Sequence, residues 1–120
     1  MQEKAIQKKK IIFLGDDENS YLEEFGVEHI CFESYKSSDL IDEFNSVFKV
    51  IAGKEHQYAK NRGTDYWIKF VFLRWFLIYE FIKDQNIKRF WTFDTDNMLV
   101  GDLSKVEPEL AKYDCTAQCV

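Results

Sequence analysis

A chain of 120 residues holds at most one ordinary domain, and its composition, 46% hydrophobic and 31% charged, is that of a globular protein with enough apolar surface for a core. A net charge of −5, with no basic face beyond Lys8 to Lys10, argues against nucleic acid as a partner. One Pro and five Gly argue against a linker or a low-complexity chain.

In chain order, the lysine trio leads into IIFLG, an apolar run too short for the core of a signal peptide. Lys10 to Leu14 (KIIFL) predicts a buried strand that ends at Gly15, Asp16 and Asp17. A short helical segment over Ser20 to Phe25 stops at Gly26, and Val27 to Glu33 (VEHICFE) predicts a second strand. Ser37 and Ser38 can cap a helix whose apolar positions are Leu40, Ile41, Phe44, Val47, Phe48 and Ile51, closed by Gly53.

A polar loop, KEHQYAKNRGTD, leads into a long helix from about Asp65 to Asp84, closed by Gln85 and Asn86. Its apolar stretch, Trp67 to Ile82, is interrupted by Lys69, Arg74 and Glu80 and falls short of the roughly 18 to 20 apolar residues of a membrane span. Asp65, Lys69, Glu80 and Lys83 share one stripe, and Leu73 and Phe76 lie on that more polar side as though awaiting cover. Arg74 points among apolar neighbours, where a guanidinium needs a carboxylate or phosphate partner: a core ion pair or a ligand. Lys88 to Phe93 (KRFWTF) predicts a third strand with Asp94 and Asp96 at its C-terminal end. Cys31, Cys115 and Cys119 fit neither a disulfide framework nor a zinc spacing, so a reduced, cytoplasmic setting is expected. His29 and His56 have no partner spacing that would make them ligands.

Strands alternating with helices predict an α/β fold, a Rossmann-like and mostly parallel sheet with flanking helices. Ligands of such sheets bind beyond the carboxyl ends of the strands, the edge where Asp16-Asp17 and Asp94-Asp96 are expected. Two carboxylates at i and i+2 can turn together toward a divalent cation, and hard oxygens suit Mg²⁺ or Mn²⁺ with positions left for phosphates. The competing expectation is a solvated turn in which the two aspartates cap local amides.

The stretch NRGTDYWIKFVFLRWFLIYEFIKDQNIKRFWTFDTDNMLVGDLSKV resembles the nucleotide-diphospho-sugar glycosyltransferases of the GT-A fold. The resemblance lies in an Arg-bearing helix, an apolar run before a DxD, and a tail in which Asp102, Leu103 and Val106 stand at the expected places. More loosely, IIFLGDDENSY resembles the nucleotide-side opening of that fold. The resemblance implies a glycosyltransferase in which Asp94 touches the donor ribose and the metal, and Asp96 ligates the Mn²⁺ or Mg²⁺ bridging the diphosphate. It further implies that Arg74 lies near the donor sugar or the DxD, and that Asp16, Asp17 and Tyr21 hold base and ribose. A nucleotide-diphosphate sugar is then the donor, and the acceptor is a glycan, lipid or protein that the sequence does not name.

The sequence departs from that family after Asp96, where only a short segment without His remains and no residue stands out as a catalytic base. The expectation is therefore the N-terminal, donor-binding part of a transferase domain that stops before its acceptor half. Three alternatives stay open. FDTDNML also resembles the first motif of haloacid-dehalogenase-like phosphatases, with Asp94 as nucleophile and Asp96 as acid/base, although Asn97 and Met98 replace the usual Gly and Thr. FLGDDEN resembles the paired acids of receiver domains, with Asp94 as phosphoacceptor, but the interval between Asp16 and Asp94 is too long for that fold. A non-catalytic α/β binding module is the third.

Overall fold

The computed structural model describes residues 9–49 and 64–117. Contacts divide the chain into two compact units, one formed by 12–90 and the other by the N-terminal segment together with 91–120.

In the first unit, strand β1 (Ile12–Gly15) pairs in parallel with β2 (Glu28–Cys31), with Phe13 opposite His29 and Gly15 opposite Cys31. The segment between them, Asp17–Phe25, is a 3₁₀ helix that starts three residues earlier than the helical turn expected at Ser20. Gly26 ends it at φ 79°, a left-handed conformation that costs a residue without Cβ little, and its N–H donates to the Glu23 carbonyl at 3.0 Å. After β2 a second 3₁₀ turn, Phe32–Tyr35, leads to helix α1 (Asp39–Val47). The Ser38 hydroxyl accepts from the Ile41 N–H at 3.3 Å, and Asp39 and Asp42 place negative charge in the first turn, where the helix dipole favours it.

Helix α1 is shorter than its apolar spacing predicts. Phe48 leaves it in an extended conformation, and its ring turns back to lie 5.0 Å from Phe44 and 5.7 Å from Phe72. The expected apolar position Ile51, the stop at Gly53, the loop from Lys54 to Gly63, His56, Lys8 and Cys119 lie outside the described residues.

Helix α2 (Thr64–Asp84) runs as expected and ends in a Schellman turn. Asn86 adopts φ 51°, its N–H donates to the Lys83 carbonyl at 3.2 Å, and the Ile87 N–H donates to the Ile82 carbonyl at 2.8 Å. Among the described residues, no helix is long and apolar enough to cross a membrane.

The core of this unit gathers Phe32, Ile41 and Leu77, with Leu14, Tyr35, Phe70, Leu73 and Phe76 packed against them. Phe70, Leu73, Leu77 and Phe81 recur at helical spacing, so one face of α2 meets the 3₁₀ turn and α1. Leu14 carries the other contribution, from the face of the sheet opposite Phe13 and Gly15. The expectation that Leu73 and Phe76 await cover is corrected: both pack on the core, Phe76 with its ring 4.8 Å from Phe44. On the opposite face of α2, Phe72, Trp75 and Tyr79 are each about half exposed, and Tyr66 and Trp67 are open near its start.

The third strand is also corrected. Residues 87–94 are irregular, and among the described residues the sheet has two strands, so the chain is a small α/β protein with a two-stranded parallel sheet and helices. KRFWTF has β-forming residues, but strand formation needs a ladder partner, and Phe90 and Phe93 stay more than 40% exposed.

In the second unit, a 3₁₀ turn (Leu103–Lys105) follows Asp102, and the short helix α3 (Glu107–Leu110) begins with Pro108 in its first turn, where a missing N–H costs nothing. Lys9 ties the N-terminal segment to α3 through Glu107 at 2.5 Å.

Candidate functional site

The residues singled out in the sequence fall in both units. Asp94 and Asp96 belong to the second. Because residues 88–93 form no strand, the two aspartates do not stand at a strand end as expected; they occupy a turn. The Asn97 N–H donates to the Asp94 carbonyl at 3.0 Å and closes the turn. The Asn97 side-chain amide donates to the same carbonyl at 3.2 Å and to Asp96 Oδ1 at 3.1 Å. Both aspartates are exposed, and just upstream the rings of Trp91 and Phe93 stack with centroids 6.3 Å apart. Asn97 thus orients one oxygen of Asp96 within the four-residue turn from Asp94 to Asn97.

That arrangement fits a hard divalent cation of the kind held by one or two carboxylates together with substrate phosphates and water. Among the described residues, no three or more His, Cys, Asp or Glu side chains gather into a group that could hold a metal by itself.

Downstream, the Asp102 side chain accepts from the Ser104 N–H at 2.9 Å and starts the 3₁₀ turn. The Ser104 hydrogen bonds hold the Asp102 carboxyl below its usual range, assisted by the positive charges of Lys105 and Lys9. Asp102 is therefore a cap, which accounts for its place in the GDLSKV tail by local structure.

Asp16, Asp17, Tyr21 and Arg74 belong to the first unit. Asp16 and Asp17 leave the carboxyl end of β1, as expected for the ligand edge of a parallel sheet. Their roles differ. The Asp16 carboxylate accepts from the Asn19 side-chain amide, and the Asp16 carbonyl accepts from the Asn19 N–H at 3.2 Å. The same carbonyl lies 2.7 Å from His29 Nε2, and since a carbonyl only accepts, that nitrogen carries the hydrogen. Asp17 is exposed, and its carboxylate is the largest influence that raises the Cys31 pKa. Asp16 serves the turn, while Asp17 faces solvent.

Tyr21 sits in the 3₁₀ helix at 56% exposure. Arg74 is half-buried on the flank of the core face of α2, its guanidinium 5.2 Å from the Trp75 ring centroid. The structure brings Asp16 and Asp17 together on one loop, and Asp94 and Asp96 together on one turn.

Sequence reasoning passed over two features. The first is His29, which ties β2 to the loop after β1. Its signal was the parallel pairing, which sets Phe13 and Gly15 on the same sheet face as His29 and Cys31. Gly15 is buried, and a Cβ there would collide with the Phe13 ring, so the glycine leaves room for that ring. The ring in turn stacks on His29, with centroids 6.4 Å apart and planes 22° apart.

The second feature is an open groove of about 450 Å³ between the turn after β2 and the last turns of α2, lined by Tyr35, Ser38, Glu80, Lys83 and Asp84 among others. Asp84 Oδ2 accepts from the Tyr35 hydroxyl at 2.9 Å and from the Gln85 amide at 2.9 Å. The Gln85 bond and then the Tyr35 bond hold the Asp84 carboxyl below its usual range. Burial, followed by the Asp84 hydrogen bond, pushes the Tyr35 phenol up. None of the six residues singled out in the sequence lines this groove.

Comparison with protein-family models, with curated proteins and with solved structures finds no match to this chain.

Proposed function

We propose that the chain binds a nucleotide-diphosphate sugar in a metal-dependent manner, as the donor-binding part of a glycosyltransferase that passes the sugar to an acceptor. The observation that carries this reading is the exposed DTD turn, with Asp94 and Asp96 two residues apart and Asn97 orienting Asp96. Asp94 and Asp96 would hold Mn²⁺ or Mg²⁺ there, and the bound ion would neutralise charge on the departing nucleoside diphosphate. Taken by itself, the loop after β1 also suits a nucleotide: Asp17 offers an exposed carboxylate of the kind that binds ribose hydroxyls, and Tyr21 is exposed in the same 3₁₀ helix.

The test is isothermal titration of the folded chain with uridine diphosphate and with guanosine diphosphate, each with and without Mn²⁺. Binding of at least one nucleotide is expected only with Mn²⁺, and Asp96→Ala should weaken it by roughly tenfold or more. Metal-independent binding, or full affinity in Asp96→Ala, refutes the reading.

A further inference from the structure

We propose that His29 is a positioning residue for the nucleotide-side loop: its imidazole, bonded to the Asp16 carbonyl at 2.7 Å and stacked on Phe13, fixes the backbone that presents Asp17. The proposal rests on the reading of that loop as part of the donor site.

Four neighbouring groups converge on this arrangement. Phe13 and Gly15 of β1 stand opposite His29 and Cys31 of β2. The absence of a side chain at Gly15 lets the Phe13 ring lie flat enough to stack on the imidazole. The imidazole N–H then reaches the first carbonyl after the strand, which Asn19 also grips. Two residues further along β2 stands Cys31, whose thiol pKa is raised chiefly by the Asp17 carboxylate. Of the two side chains on this face of β2, His29 holds the loop by its backbone, and Cys31 senses the carboxylate of the next residue. A loop fixed in this way needs no ordering when a ligand arrives, and that preorganisation raises affinity.

The arrangement also supplies a reporter that needs no ligand. A carboxylate that raises a thiol's pKa lowers its thiolate fraction, and only the thiolate attacks alkylating reagents. If His29 fixes the loop, removing its N–H lets Asp17 drift from Cys31, and alkylation accelerates.

The experiment uses the full chain with Cys115→Ser and Cys119→Ser, so that iodoacetamide reads Cys31 alone. His29→Phe keeps a ring beside Phe13 but removes the donor, whereas His29→Gln keeps a donor. His29→Phe should speed alkylation of Cys31 about fivefold, the value of one ordinary hydrogen bond, and weaken Mn²⁺-dependent nucleotide binding by a similar factor. His29→Gln should restore both to within about twofold of the parent, and Asp17→Asn should speed alkylation without disturbing circular dichroism. The proposal is overturned if His29→Phe leaves the alkylation rate unchanged, or if His29→Gln is as impaired as His29→Phe. A parent chain that binds neither nucleotide refutes the donor-site reading instead, and the alkylation rates still decide whether His29 sets the loop.

Discussion

Leu77→Ala tests the packing of α2 most directly. Leu77 is 2% exposed and lies in the cluster with Phe32 and Ile41. The substitution removes three carbons, a transfer loss of about 2.4 kcal/mol at roughly 0.8 kcal/mol per methylene-sized group. A rigid cavity would add up to about 2.5 kcal/mol more. Here much of the wall is half-buried, with Leu14, Tyr35, Phe70, Leu73 and Phe76 able to slump inward, so the expected loss is about 3 kcal/mol. A unit of this length is stable by about 4 to 12 kcal/mol, so the variant gives up a large share of it. Urea denaturation followed by far-ultraviolet circular dichroism reads the loss through α2. The companion is Trp75→Ala on the opposite face, half exposed and expected to cost under about 1 kcal/mol. Equal losses from the two variants, or a Leu77→Ala loss below about 1 kcal/mol, would mean that α2 buries a different face.

Gly26→Ala forces a Cβ into the left-handed conformation at φ 79° and should cost about 1 kcal/mol in the same titration. Ser38→Ala removes the acceptor for the Ile41 N–H and should cost about 1 kcal/mol, with Ser38→Asp restoring it. The Tyr35–Asp84 bond makes stability depend on pH at both ends. The Asp84 carboxyl is lowered in the folded state, so its contribution is full above the ordinary aspartate value of about 4 and lost as pH falls through the folded value. The Tyr35 phenol is raised, so its contribution is full below the ordinary tyrosine value of about 10 and lost as pH rises through the folded value. Tyr35→Phe should remove the alkaline loss and shrink the acid one, leaving the Gln85 share, in denaturation midpoints measured across pH. An unchanged profile in Tyr35→Phe would rule out the pairing.

Much of the first unit was legible because its signals are local. KIIFL followed by Gly15 marked β1, Ser38 before Leu40 and Ile41 marked the start of α1, and Asn86 marked the end of α2 with the left-handed conformation that Asn tolerates. The misreadings arose where local pattern depends on distant partners. KRFWTF has the residues of a strand but no ladder to join, so the position argued for Asp94 and Asp96 went with it. Leu73 and Phe76 appeared uncovered when α2 was sorted by its charges, because Lys69 and Glu80 flank the buried face rather than mark the solvent side. The place of the acids at the carboxyl end of β1 was legible. The division between Asp16 and Asp17 was not, because it depends on Asn19, His29 and Cys31 meeting them in space.

The two-stranded sheet has a consequence for solvent exchange. In a parallel ladder, alternate residues aim their amides at the neighbouring strand and the intervening ones aim away from it. With only β1 and β2 in the sheet among the described residues, each strand has an inward and an outward row of amides. Deuterium uptake along these strands should therefore be staggered, slow and fast at successive residues, whereas the middle of α2 should take up label slowly and evenly. A third strand laid against either margin would turn the fast row slow and leave the other pattern intact.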